Sequence, residues 1–340
     1  MRLFSRKLGL MALCLTLALE SAAAPPRPAF VKAGILHAAD DGWDIASWDR
    51  PHGRLLIAHG KDVLVIDPAR QGQVRAIGRI DHAHGVAAIP GTDTLLVSSA
   101  RDNTVRILDE SNGAELARIP VGADPDATIL SADGATAYVM DSDGGAVSEI
   151  DLRRRVERRR IPLKPGLEFP VLASPALLAV NNETASEIDL VDLAAGQAAG
   201  RIPLPGCEGP TGMAYDPEAG LALSACGNGK AALVDLEARR VVRLLPIGLG
   251  PDTAIWDEAH HRFLIPCGKS GTLSIIDMAG RTPTEEPAIM TEPSARTAAL
   301  DPDTGRLYMP AAQFGPAVPP ARHGPIVPGS FHILVMAPGA

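Results

Sequence analysis

Seven ionisable residues recur at one place in a repeated pattern: Asp44, His84, Asp126, Glu168, Glu208, Asp252 and Arg296. Carboxylates gathered at one point suit a hard cation such as Ca²⁺, and a histidine among them suits Zn²⁺. Glu168, Glu208 and His84 are the candidate metal ligands, and all seven are candidate ligand-binding residues. The same side chains could instead hydrogen-bond backbone groups of neighbouring loops and latch them together. About forty residues separate each from the next, so no single hairpin can gather them. A repeated structural unit must do it.

That unit is visible in the sequence. The aspartates closing "LVIDP", "RILDE", "SEIDL", "DLVDL", "ALVDL" and "SIIDM" (Asp67, Asp109, Asp151, Asp192, Asp235 and Asp277) stand 41–43 residues apart. Between them lie short apolar runs separated by turn signals such as "SADGA", "ESNGA" and "DPDTG". The runs are too short and too punctuated for helices. Each unit reads as a four-stranded antiparallel sheet, and a period near forty with four strands is the mark of a β-propeller blade.

Residues 30–340, less an inserted stretch at 313–329, divide into seven units of 42. The fold class predicted is all-β: a seven-bladed propeller forming one domain over residues 24–340. The last unit has three strands of its own, so "FVKAGIL" (Phe30–Leu36) is expected to supply the fourth by pairing with Phe331–Met336. Counting back about 25 residues from each closing aspartate reaches the loop before the innermost strand, which opens on the central channel. There the seven ionisable residues converge.

The insertion "QFGPAVPPARHGPIVPG" (313–329) replaces a link of about four residues in other blades. Its five prolines stiffen it, and long ordered loops in compact folds are commonly functional. It is expected to form a partial lid that brings Arg322 and His323 to the channel mouth. Cys207 and Cys226 fall on one face of blade 5 and are expected to pair as a disulfide. Cys267 is left as a buried thiol. The arginines of "DLRRRVERRRIPL" fall on the outer strand of blade 3, where charge discourages sheet-to-sheet association. His260 and His261 sit in a turn on the face opposite the ring.

Residues 1–23 carry a basic start (Arg2, Arg6, Lys7), the apolar run "LGLMALCLTLAL" and small residues at Ser21–Ala23. This is the pattern of a cleaved signal peptide, and it implies a periplasmic or secreted protein. Removing it leaves 29 basic and 39 acidic residues, a net charge near −10, which argues against nucleic-acid binding. No later stretch is apolar enough to span a membrane. No GxSxG, HExxH or Walker motif is present, and three tryptophans are too few for a quinoprotein propeller.

"DGWD" (41–44), "HGVA" (84–87), "PD" (125–126), "EFPV" (168–171), "GCEGPTGMA" (206–214), "GPD" (250–252), "ART" (295–297) and "AQFGP" (312–316) follow one another along the chain. In these segments the chain resembles the secreted bacterial YncE-like proteins with YVTN-type propeller repeats. "AYVMD" (137–141) and "LLAVNN" (177–182) are the nearest echoes of the tetrapeptide that names them. The resemblance implies an exported propeller and carries no activity with it. The function expected is non-catalytic binding of a small molecule, a metal ion such as Ca²⁺ or Zn²⁺, or a periplasmic protein by a monomer. The alternative is a metal-dependent hydrolase such as a lactonase, with Glu168 or Glu208 as ligand and His84 as general base.

Overall fold

In the computed structural model, residues 30–339 are described except for 71, 281 and 318–323. Residues 1–23, for which a signal peptide is expected, and Arg322 and His323 lie outside the described residues. The period-2 runs become strands because alternate residues serve two different neighbours. In blade 1, Leu55, Ile57, Leu64 and Ile66 pack with Tyr308, Ile333 and Val335 of blade 7. The residues between them, Leu56, Ala58, Val63 and Val65, pack with Val86, Leu95, Val97 and Leu108 of blade 2. A strand sandwiched in this way is buried on both faces, and each buried Leu, Ile or Val contributes roughly 1.5–3 kcal/mol. The second and third strands of blade 3, Thr136–Asp141 and Ala146–Asp151, are accordingly buried at every position. The outer strand Val156–Pro162 alternates between exposed and partly buried up to Ile161, which is fully buried.

Seven sheets result, each an antiparallel meander. Two of them depart from the plain repeat. In blade 6 the outer strand is split into Thr284–Glu285 and Ile289–Met290, which pair with the two ends of the same third strand. Pro287 stands in the gap and cannot donate to a ladder. In blade 7, Phe30–His37 forms the outer strand beside His332–Pro338. The expected closure therefore forms, displaced toward the C-terminus. Phe30 pairs with Pro338 and His37 with His332, with a bulge between Lys32 and Gly34. Phe331 lies beyond the ladder and packs on Trp43 and His59.

The Cys207–Cys226 disulfide is present, with its Cα atoms 5.4 Å apart, and Cys267 is free and buried. The arginine-rich run divides between two elements. Arg153, Arg154 and Arg155 lie in the turn, while Arg158, Arg159 and Arg160 lie on the outer strand. Arg158 and Arg159 bind Glu149 of the neighbouring strand, and Arg160 binds Glu157. His260 bonds Asp257 within its own turn. Among the described residues no helix is long and apolar enough to cross a membrane.

Candidate functional site

The ring positions share a backbone device. In blades 2 to 5 the first strand makes one pair with the second strand and then slips register before the ladder resumes. The slips fall between Ala83 and Val86, Pro125 and Thr128, Leu167 and Pro170, and Pro210 and Met213. A bulge re-aims the side chain it contains, and each of these contains the ring residue: His84, Asp126, Glu168 and Thr211. Gly85 follows His84 because the next blade comes very close. A Cβ there would lie 2.8 Å from the backbone oxygen of Asp126.

Around the axis the side chains form a chain of contacts. Arg296 Nε donates to Asp252 Oδ2 at 2.6 Å, and its NH2 lies 3.7 Å from Asp44 Oδ1. That NH2 also donates to the Trp43 carbonyl at 2.9 Å, while the guanidinium sits over the Trp43 ring. His84 Nδ1 lies 2.6 Å from Asp44 Oδ2 and 3.4 Å from Asp126 Oδ1. One ligand atom from each of Asp44, His84 and Asp126 falls within a single 4.8 Å cluster. His84 Nδ1 is buried there without meeting hydrogen-bond geometry.

Glu168 belongs to the same electrostatic group. Burial, then the charges of Asp126, Asp252, Glu183 and Asp44, push its carboxyl well above the ordinary range. Burial raises Asp252 to about 6 even though Arg296 works against it. Burial also raises Asp126, against the pull of His84. For His84, burial disfavours the charged ring, but the carboxylates of Asp126 and Asp44 outweigh it and carry the pKa to about 11. Four carboxylates thus face two cations, His84 and Arg296, and Asp126, Glu168 and Asp252 relieve the imbalance by holding their protons more tightly.

Two placements differ from the sequence expectation. Glu208 is exposed and precedes the ring position of blade 5, which belongs to Thr211. The Thr211 hydroxyl bonds the Pro251 carbonyl at 3.1 Å. The metal-ligand geometry also gathers Asp44, His84 and Asp126, not His84 with Glu168 and Glu208. The count back from the closing aspartate should have found Thr211, which lies 24 residues before Asp235, as Glu168 lies 24 before Asp192. Thr211 carries no charge, and Glu208 three residues earlier does. Two further neighbours had no sequence signal. Glu183 comes from the loop after the second strand of blade 4, and His82 meets the His84 ring edge-on at 4.7 Å.

The described ends of the insertion form a narrow stem. Phe314 pairs with Ile326, Gly315 N donates to Pro325 O, and Val327 N donates to Gln313 O. Phe314 lies 5.8 Å from Trp43, the residue before Asp44. The carboxylate of Asp40 accepts the backbone N–H groups of Gly329 and Phe331. The insertion is therefore anchored to the blade 1 loop that supplies the ring.

The chain matches no protein-family model and no curated protein sequence. It does match 1714 chains of solved structures, a breadth that makes the fold uninformative about activity. One is a chain of the hydrazine synthase of Kuenenia stuttgartiensis, with a TM-score of 0.69 and 19% identity over 86% of this chain and 96% of that one. Another comes from a crystal structure of the mitotic checkpoint complex, with a TM-score of 0.73 and 15% identity over 97% of this chain and 99% of that one. At such identities the likeness establishes the seven-bladed propeller.

Proposed function

We propose that this propeller is an exported, non-catalytic binding protein that holds a divalent transition metal, Zn²⁺ by its donor set, at the channel mouth. The observation that carries this reading is the convergence of Asp44, His84 and Asp126 around a buried Nδ1 that makes no directional hydrogen bond. A nitrogen and two carboxylate oxygens suit Zn²⁺ better than Ca²⁺, which takes six to eight oxygens. A dication would also offset the negative charge of the ring, where Arg296 is the one cation left once His84 has given up its proton to bind metal. The stem that ties the insertion to Trp43 supports a lid over the same mouth, with a small molecule or a periplasmic protein as the second ligand. Kinship with the YncE-like proteins is part of this reading, on the segments from "DGWD" to "AQFGP", and so are export and a monomeric state.

The hydrolase alternative has little support at His84. Between two carboxylates the ring keeps its proton at neutral pH, and once on a metal it is a ligand, so in neither state is it a general base. The test is titration of chelator-treated protein with ZnCl2. Wild type should bind at the ring, and His84→Ala or Asp126→Asn should weaken that binding at least about 100-fold while the fold is kept. Equal binding by all three proteins would reject the reading.

A further inference from the structure

On the face opposite the ring, a second group of donors meets across the seam between blades 1 and 2. Asp49 ends the first strand of blade 1, and His52 lies in the turn that follows. Glu110 follows the third strand of blade 2. Their ligand atoms all lie within 4.8 Å of one another. Asp49 and Glu110 are 1% exposed, and Oδ1 of Asp49 is buried without any hydrogen-bond partner.

We propose that Asp49, His52 and Glu110 form a second transition-metal site, one that bridges two blades. His52 Nδ1 is hydrogen-bonded to Asp49 Oδ2 at 2.7 Å and lies 3.7 Å from Glu110 Oε2, so this nitrogen sits beside both acids. The other ring nitrogen, Nε2, lies 3.1 Å from Asp93 Oδ1. A metal-bound histidine characteristically donates its remaining N–H to a carboxylate, which fixes the ring. Asp93 stands where that partner belongs. Arg54 binds Oε1 of Glu110 and leaves Oε2 toward the cluster. A cavity of about 430 Å³ lined by His52, Arg54, Asp93 and Glu110 gives access to solvent and room for the remaining ligands.

Blade 6 carries a related turn that differs in its oxygen partners. It repeats the Asp-x-x-His spacing as Asp257 and His260. There His260 Nδ1 contacts both oxygens of Asp257, and Arg262 donates to Oδ2. Both oxygens of Asp257 are thus engaged. In blade 1 the Asp49 oxygen stays orphaned, and the neighbouring blade adds an acid.

The probe is ZnCl2 titrated into the chelator-treated, folded chain, followed calorimetrically, with retention of the fold checked by circular dichroism. Wild type should bind two equivalents. Glu110→Gln, which keeps the side-chain shape, should weaken one of them at least ten-fold, and His52→Ala should remove it. Asp93→Asn should weaken that same equivalent by roughly ten-fold. His84→Ala should remove only the other equivalent. If His52→Ala binds as much zinc as wild type, or if His84→Ala removes all of it, this site does not exist. One equivalent lost with His52 and unaffected by His84 would support this site and reject the channel-mouth metal.

Discussion

His84 Nδ1 lies 2.6 Å from Asp44 Oδ2 across the seam between blades 2 and 1, yet it does not meet hydrogen-bond geometry. With Asp126 Oδ1 3.4 Å away on the other side, the ring nitrogen is held between two carboxylates.

Metal binding at the ring should therefore expel a proton. With its pKa near 11, His84 is protonated at neutral pH, and a metal can take Nδ1 only by displacing that proton. Zinc affinity should rise close to ten-fold for each pH unit between 6 and 8. Calorimetry in buffers of different ionisation heat should count about one proton released at this site, and His84→Ala should remove that contribution and leave only what the Asp49–His52–Glu110 site adds. PH-independent binding with no proton release would contradict this.

Without metal, stability should fall as pH rises. Asp126, Glu168 and Asp252 all have raised values in the folded protein, Asp252 near 6. Buried Asp141 is likewise near 6, raised by burial against its Ser148 hydrogen bond. An acid with a raised folded pKa binds its proton more tightly when folded. Stability then grows as pH drops through about 6 and levels off near the unfolded value of about 4. His84 acts in the same direction. Its stabilisation is complete below about 6.5 and fades as pH climbs toward 11. Urea unfolding with chelator should give higher stability at pH 5.5 than at pH 8. Glu168→Gln should raise stability at pH 8 and flatten the slope, whereas a loss of stability would mean that Glu168 is a structural latch.

The disulfide should be worth on the order of 3 kcal/mol by the chain-entropy argument, since it joins residues 19 apart. Cys207→Ser with Cys226→Ser should lower the denaturation midpoint accordingly. Cys267, fully buried beside Ser274, should react with iodoacetamide only in denaturant. Rapid alkylation of Cys267 in the native protein would refute its placement.

Closure by the N-terminal strand makes a separate prediction. Phe30 is 3% exposed and carries Arg262 over its ring, so the strand contributes to the core as well as to the ladder. Removing residues 24–37 should lower the melting temperature on the order of 10 °C and leave Ile333–Met336 on an open edge prone to association. An unchanged melting temperature would show that the closure adds nothing.

The repeat was legible because a blade needs two buried faces, and that need writes itself as period-2 apolar runs ending at Asp67, Asp109 and their counterparts. The ring was legible as a position and less so as a set of residues. Bulges at His84, Asp126, Glu168 and Thr211 aim those side chains, and a bulge leaves no composition of its own, so Glu208 could stand in for Thr211. The Asp49–His52–Glu110 group was invisible because its members are local in two blades that meet only through packing. The split outer strand of blade 6 was signalled by Pro287, but a proline cannot say whether a strand ends or resumes.

Anomalous diffraction from crystals equilibrated with ZnCl2, recorded at the zinc edge, addresses the channel mouth directly. The expected result is a peak about 2.0–2.2 Å from His84 Nδ1 and from carboxylate oxygens of Asp44 and Asp126, lost in His84→Ala crystals. Zinc-equilibrated crystals with no peak among those three residues would contradict it.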